Sequence, residues 1–97
     1  SLRYWKNGTL FLETPYRYGL KHGVERCYFD DGVLSNTTNY KNGIKHGLHI
    51  QYAYNRSGKI LYTTPFHAGK KHGKEIVYNT KTGEITKTIS WVKGEEQ

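Results

Sequence analysis

The sequence has little of what stabilises most small domains. Its 97 residues include one cysteine, Cys27, which excludes an internal disulfide, leaves the redox compartment open and is interpreted as a half-buried structural thiol. Only 35% of the residues are hydrophobic, and no apolar run approaches the roughly 20 residues of a membrane-spanning helix. A chain of this length has room for one domain, which must be stabilised by regular packing rather than by a large core.

Recognisable catalytic motifs are also missing. The sequence contains no nucleophile elbow, phosphate-binding loop, zincin helix or Cys–His constellation. Among its eight acidic residues, Asp30 and Asp31 are adjacent but lie in a predicted turn rather than in a cleft. We therefore predict that the protein is not an enzyme and that it has no catalytic residues, metal site or cofactor.

What the sequence does have is positive charge and aromatic rings. Lys and Arg number 15 against 8 Asp and Glu, for a formal net charge of +7, and nine tyrosines dominate the aromatic residues. The charge favours polyanions, anionic membrane surfaces or an acidic protein partner. Large rings with polar edges suit a thin sheet better than a globular core.

An internal repeat organises the chain. Residues 16–23, 40–47 and 66–73 share the form aromatic-x-x-Gly-x-Lys-His-Gly, and residues 91–94 begin a fourth copy. A tyrosine follows each complete His-Gly pair by five residues, and a later glycine precedes the next opening aromatic by eight. The residues of this lattice are Gly19, Gly23, Tyr28, Gly32, Tyr40, Gly43, Gly47, Tyr52, Gly58, Phe66, Gly69, Gly73, Tyr78, Gly83, Trp91 and Gly94. We predict one domain over residues 1–97, with a partial repeat at 4–15, repeats at 16–39, 40–65 and 66–90, and a partial repeat at 91–97.

The spacing predicts tandem β-hairpins. Length varies only between the tyrosine and the following glycine, and residues 29–32 and 55–58 have turn composition there. The Gly-x-Lys-His-Gly segment is predicted to form a second, tighter turn. Two strands in each repeat then give about seven strands in the chain. Period-two alternation places Leu34, Thr38 and Tyr40 on one apolar face with Tyr28.

The opposite face of the predicted sheet is expected to meet solvent. It carries Glu25, His49 and Glu75 on one strand of each repeat and Thr37, Thr63 and Thr88 on the other. The predicted fold is all-β, an elongated, twisted, single-layer antiparallel sheet.

The lattice resembles the MORN-variant repeat, which is written as an aromatic, Asn-Gly, Lys-His-Gly, a following Tyr and a later Gly. Residues 40–47 match it best, whereas Tyr18 and Ala68 replace the Asn before the glycine. The resemblance implies an extended sheet of stacked hairpins with no chemistry of its own. Proteins built from such repeats include bacterial antitoxin or immunity proteins, and eukaryotic relatives are scaffolds linked to membranes and phosphoinositides.

The Lys-His pairs supply the candidate interaction surface. Equivalent residues of successive two-stranded repeats lie roughly 9 to 10 Å apart, whereas ligands of one zinc lie within about 3.5 Å of each other, so the histidines are interpreted as turn-stabilising residues. The lysines form a basic ladder that is either a solvated edge or a surface for an anionic partner. The candidate residues are Arg17, Lys21, His22, Lys41, Lys45, His46, Lys70, Lys71 and His72.

The sequence thus predicts a non-catalytic module that binds another protein, with an acidic partner favoured and an antitoxin or immunity role as the most specific version. A phospholipid or phosphoinositide surface stays an alternative. Nucleic acid is disfavoured, because the strict register of the tyrosines indicates packing rather than base stacking. A scaffold that self-associates through its exposed edge strands is a further alternative. The cytoplasm is favoured as the compartment, and a processed secreted or periplasmic form stays open.

Overall fold

The structure, a computed structural model, describes residues 2–53 and 58–97. Its strands in chain order are β1 (Leu2–Tyr4), β2 (Leu10–Glu13), β3 (Tyr16–Arg17), β4 (Leu20–Lys21), β5 (Gly23–Tyr28), β6 (Leu34–Lys41), β7 (Ile44–Tyr52), β8 (Ile60–His67), β9 (Lys70–Lys71), β10 (Gly73–Tyr78), β11 (Ile85–Val92) and β12 (Glu95–Glu96). The seven strands of four residues or more match the predicted number. The other five contain two or three residues each.

One open sheet contains most of these strands. Its order is β1-β2-β5-β6-β7-β8-β10-β11-β12, with β9 paired to β8, while β3 and β4 form a separate pair. Every pairing is antiparallel. The prediction of an all-β, antiparallel sheet of hairpins is confirmed.

The sheet is a single layer. The molecule measures 42 × 37 × 14 Å, and two stacked sheets would already lie about 10 Å apart before the side chains on their outer surfaces were counted. Side chains on both faces therefore depend on their neighbours within the same face for cover.

The turn that opens each repeat is shorter than predicted. In the middle repeat Lys41 pairs with Ile44, and the two residues between them, Asn42 and Gly43, both have positive φ, at 51° and 84°. This is the pattern of a type I′ turn, for which Asn-Gly is a preferred sequence. The Lys-His pair follows on the returning strand, because Lys45 pairs back to Tyr40, and its predicted place in the turn was wrong.

The other turn of each repeat is the one of variable length. In the first repeat Phe29 N donates to Val33 O at 2.8 Å, and Gly32 N donates to Phe29 O at 2.9 Å. This turn lies where the sequence predicted it. The corresponding turn of the middle repeat was predicted at 55–58, of which residues 55–57 lie outside the described residues.

A β-bulge follows each variable turn and changes which residues share a face. Glu25 pairs directly with Thr38, and directly opposed residues of antiparallel strands point to the same side. We expected these two residues on opposite faces, and that expectation was wrong. The extra residue Ser35, beside the register shift, reverses the alternation between Leu34 and the rest of β6.

A row of side chains crosses the sheet on the face that carries Glu25. We call it the central row, and its members are Thr14, Glu25, Thr38, His49, Thr64, Glu75 and Ile89. The opening aromatics Tyr40, Phe66 and Trp91 share this face, since each is opposed to the glycine of a His-Gly pair. We call this side of the sheet the groove face.

How deeply a side chain is buried depends more on its position along the strand than on the face of the sheet that it occupies. Thr64 and Glu25 on the groove face are 2% and 9% exposed, and Thr63 on the opposite face is 7% exposed. The expectation of solvent exposure was therefore wrong for Glu25, Thr37 and Thr63, which are buried, whereas Thr88 is exposed as expected. Cys27 is half-buried, and burial raises the pKa of its thiol, with Glu25 adding to the effect.

Candidate functional site

The Lys-His segments join each repeat to the next through backbone hydrogen bonds. Gly43 N donates to Lys21 O at 2.8 Å, and Gly69 N donates to Lys45 O at 2.9 Å. Gly94 N donates to the Lys71 carbonyl at 2.8 Å in the same way. Each two-residue turn is thus held by the preceding Lys-His strand, which fixes where the lysine side chain starts.

The predicted histidines lie against the same turns. His22 Nδ1 accepts a hydrogen bond from Asn42 N at 3.5 Å, and His72 Nδ1 accepts one from Lys93 N at 3.2 Å. The ring centroids of His46 and His67 are 5.0 Å apart. Among the residues described, no group of three His, Cys, Asp or Glu side chains is placed to hold a metal ion.

Each lysine of the Lys-His pairs lies over the opening aromatic of the next repeat. The distance from Nζ to the ring centroid is 4.9 Å for Lys21 over Tyr40 and 5.0 Å for Lys45 over Phe66. It is 4.4 Å for Lys71 over a Trp91 ring. These are cation–π distances, and they arrange the three ammonium groups and three rings as a regular series on the groove face.

In the first and third repeats the lysine also meets a carboxylate four residues further on. Lys21 Nζ lies 3.1 Å from Glu25 Oε2, and Lys71 Nζ lies 3.6 Å from Glu75 Oε1. The two glutamate side chains are only 11% and 12% exposed. A threonine hydroxyl on the neighbouring strand donates to each carboxylate, from Thr14 to Glu25 and from Thr64 to Glu75.

The middle repeat has a histidine where the other two have glutamate. His49 Nδ1 lies 2.7 Å from the hydroxyl oxygen of Thr38, so the threonine contact is kept. Within residues 2–53 and 58–97, no carboxylate oxygen lies within 4 Å of Lys45 Nζ. The middle lysine therefore has its aromatic ring but no acidic partner among these residues.

An open groove of about 390 Å³ lies beside His49 on the groove face. Tyr62 and Phe66 provide its rings, and Lys45, Lys71 and Lys87 surround it. The other lining residues are His49, Thr64, Glu75, Val77 and Ile89. Three ammonium groups against one carboxylate leave the groove positive when His49 is neutral.

The electrostatics of the central row differ between the two kinds of repeat. Burial acts to raise the pKa of Glu75, but hydrogen bonds from Thr64 and Trp91 and the nearby Lys71 outweigh it, so this pKa lies below its ordinary value. Burial lowers the pKa of His49, and Lys45 lowers it further against a smaller opposite effect of Glu75. His49 is therefore neutral near pH 7.

The hydrogen bond to Glu25 is the main reason that the pKa of Lys21 is raised. The first repeat thus holds its lysine charged against an internal acid. Lys45 has no such acid among the described residues, so its charge faces the groove.

The predicted interaction surface divides into two parts. Lys21, Lys45 and Lys71 lie on the groove face. Lys70 and His72, by contrast, line a separate recess of about 470 Å³ with His67, Ala68 and Lys93 at the turns. Arg17 lies over Tyr18, with 5.2 Å from its Cζ to the ring centroid, and Lys41 is exposed beside the middle turn.

Several residues of the groove face were not predicted from the sequence. Glu25, His49 and Glu75 were assigned to a solvent-facing side, and Tyr62 and Lys87 were not considered at all. The available signal was the change from Lys-x-x-x-Glu in the first and third repeats to Lys-x-x-x-His in the middle one.

Comparison with known families identifies one of these segments. Residues 21–42 match the family model of the MORN repeat variant. This MORN-variant segment begins at Lys21 and ends at Asn42. It therefore contains one complete set of a lysine, the glutamate that pairs with it and the aromatic ring beneath it. MORN repeats are generally non-catalytic and often bind membranes or proteins.

The other two comparisons return no match, neither among curated proteins nor among solved structures. The described part of the chain contains no helix of the length and apolarity needed to cross a membrane.

Proposed function

We propose that this protein is a non-catalytic repeat module that binds an acidic protein partner on its groove face. The observation that supports this most directly is the groove itself, in which Lys45, Lys71 and Lys87 surround the part-exposed rings of Tyr62 and Phe66. Aromatic rings supply contact area at small entropic cost, and lysines supply the charge that steers an acidic partner into place.

The same contacts favour a protein over an anionic membrane. Lys21 and Lys71 are paired with Glu25 and Glu75, so part of the lysine charge is already neutralised within the sheet. Glu75 also lines the groove and repels a uniformly negative surface. A protein surface can place acidic, apolar and hydrogen-bonding groups where each is needed, which a lipid headgroup layer does not do.

The most specific version of this proposal is an antitoxin or immunity protein, whose acidic partner is a toxin. Its support is the resemblance of the repeats to those of bacterial antitoxin and immunity proteins. Co-expression with the protein encoded next to it in its native genome tests this version, since an antitoxin restores growth to cells that the neighbouring product arrests. No restoration of growth contradicts the antitoxin role and leaves the binding module to be tested separately.

Site-specific photo-crosslinking tests the binding module itself. A benzoylphenylalanine replaces Tyr62 on the groove face or, as the matched control, Tyr78, which shares a face with Ile76 on the other side of the sheet. We expect discrete protein adducts in the native host from position 62 and far fewer from position 78. Equal adduct patterns from the two positions, or adducts to lipid alone, contradict the proposal.

Vesicle binding tests the membrane alternative. The regular lysine series is the observation that favours it. Co-sedimentation with phosphatidylserine or phosphoinositide vesicles that weakens as salt rises would support this alternative over a protein partner.

A further inference from the structure

We propose that the middle repeat binds the carboxylate of a partner's Glu or Asp side chain, beside His49, as the counterpart of the internal carboxylates Glu25 and Glu75. This inference rests on the proposed function, and it specifies the chemistry that the groove recognises. The same site occurs three times on the groove face of one molecule, and among the described residues it lacks its acid once.

The two internal carboxylates define what the site holds. Glu25 accepts a hydrogen bond from Thr14 and lies 3.1 Å from Lys21 Nζ. Glu75 accepts from Thr64 and, through its other oxygen, from Trp91 Nε1 at 3.0 Å. In both repeats one carboxylate therefore satisfies a lysine that also lies over an aromatic ring.

The middle site keeps the lysine and the ring but not the acid. Lys45 Nζ lies 5.0 Å from the Phe66 ring centroid, as its equivalents do over Tyr40 and Trp91. No carboxylate of the described residues comes within 4 Å of it. The space beside it is the groove of about 390 Å³, which is large enough for an acidic side chain and the backbone that carries it.

His49 supplies a second donor for such a carboxylate. Its Nδ1 is engaged by the Thr38 hydroxyl, and its Nε2 has no hydrogen-bond partner among the described residues. When Thr38 donates to Nδ1, the neutral imidazole carries its proton on Nε2 and donates there. The bound carboxylate then accepts from His49 Nε2 and from Lys45 Nζ, and these charge-assisted hydrogen bonds are stronger than neutral ones.

The walls of the groove favour a carboxylate over a phosphate. Glu75 lines the groove and repels a group that carries about two negative charges more strongly than one that carries a single charge. Tyr62, Phe66 and Val77 line the same groove, so apolar side chains next to the acid in the partner's sequence can pack there. The occupant that fits is an acidic residue flanked by apolar residues in an extended segment.

The test uses a blocked peptide as the probe, acetyl-Leu-Glu-Phe-Glu-amide, with acetyl-Leu-Gln-Phe-Gln-amide as its uncharged match. Binding to the full chain at pH 7 is followed by NMR through the His49 imidazole and Lys45 side-chain resonances. We expect the glutamate peptide to shift both sets of resonances and to bind at least tenfold more tightly than the glutamine peptide. Equal binding of the two peptides, or binding of neither, overturns the proposal.

Variants of the two binding residues make the test specific. His49→Glu places an internal carboxylate beside Lys45, as in the neighbouring repeats, and should weaken binding of the glutamate peptide at least tenfold, as should Lys45→Met. His49→Gln, which keeps a neutral donor, should weaken it by a smaller factor. Lys74→Met removes an exposed lysine from the opposite face of the sheet and should leave peptide binding unchanged. Unchanged binding to a folded His49→Glu chain overturns the proposal.

Photo-crosslinking in the His49→Glu background separates this inference from the proposed function. Adducts that persist from position 62 in this background, together with equal binding of the two peptides to the unmodified chain, would overturn the carboxylate site and leave the binding module standing. Loss of these adducts together with loss of peptide binding supports the site as the partner's anchor. Absence of adducts and of peptide binding in the unmodified chain overturns both proposals.

Discussion

The middle repeat and its two neighbours have the same backbone arrangement but a different balance of charge. In each neighbour a largely buried glutamate accepts a hydrogen bond from a threonine and contacts the lysine four residues before it. In the middle repeat His49 occupies the glutamate position and binds the threonine alone. The backbone register is equivalent at the three positions, so one side-chain change decides whether the lysine is satisfied inside the sheet or faces the groove.

Removal of the Glu75 carboxylate should cause the largest loss of stability among the variants that test this difference. Glu75→Ala leaves Thr64, Trp91 and Lys71 without their shared acceptor, and loss of a largely buried, charged acceptor costs about 2–3 kcal/mol. His49→Ala should cost less, about 1 kcal/mol, because among the described residues His49 has one side-chain hydrogen bond, with Thr38, and a ring contact with Tyr62. Urea unfolding at pH 7 measures both, and equal losses would contradict the difference between the repeats.

Acid should lower the free energy of unfolding by protonating Glu75. The pKa of Glu75 is below its ordinary value in the folded chain, so the unfolded chain takes up this proton first. The stability that Glu75 contributes is complete above its ordinary pKa and is lost as the pH falls through the folded one.

The measurement for this prediction is the free energy of unfolding between about pH 5 and pH 3. We expect it to fall over this range and to fall less steeply in Glu75→Gln. An equally steep fall in the variant would show that other carboxylates cause the loss.

Addition of a carboxylate to the middle repeat should make it resemble its neighbours. His49→Glu gives Lys45 an acid at the spacing seen for Lys21 and Glu25, and one charge-assisted hydrogen bond of this kind contributes about 1 kcal/mol. Thermal or urea unfolding at pH 7 should show a stabilised chain. The variant should also lose the gain in stability that the unmodified chain shows as the pH rises through the titration of His49, whose pKa is lowered by burial.

The sequence predicts the features of these repeats that depend on local backbone conformation, and it does not predict those that depend on pairing between strands. The sheet of hairpins was predicted because glycine spacing reports local backbone conformation, and all eleven glycines have positive φ. The sequence predicted a turn over residues 43–47, whereas the turn is formed by Asn42 and Gly43. A two-residue turn followed by a Lys-His strand has the same glycine spacing as a five-residue turn. Backbone pairing, which spacing does not contain, separates the two.

The groove was missed because of the bulges. Simple alternation from the turn glycine puts Thr38 on the same face as Leu34. The bulge at Ser35 puts these two residues on opposite faces. These one-residue bulges place Thr38, Thr64 and Ile89 on the same face as Glu25, His49 and Glu75, which simple alternation had put on the opposite face. The motif Lys-x-x-x-Glu therefore contained the right residues, and only the register showed that they meet threonines of the adjacent strand.

The turns give a smaller contrast between the middle and third repeats. Ala68 occupies the turn position held by Asn42 and has a φ of 52°, a region that costs most residues other than Gly and Asn about 1–2 kcal/mol. Ala68→Asn should stabilise the chain by about 0.5–1 kcal/mol, because Asn tolerates this conformation. Asn42→Ala is the reciprocal control and should destabilise by a similar amount in a thermal melt. A destabilising Ala68→Asn would mean that the side chain, rather than the backbone, decides this position.

The smallest expected effect concerns the lysines themselves. Lys21→Met removes both a contact with Glu25 and a cation–π contact with Tyr40. In the described part of the chain, Lys45→Met removes the contact with the Phe66 ring and no ion pair. Exposed contacts of either kind contribute about 0.2–1 kcal/mol, so both losses are small and that at Lys21 is the larger. The His49→Glu background should raise the cost of Lys45→Met to that of Lys21→Met, because the middle lysine then has an acid to lose. A cost at Lys45 that does not change with residue 49 would mean that the two side chains do not interact, and that the charge of Lys45 is independent of the acid position.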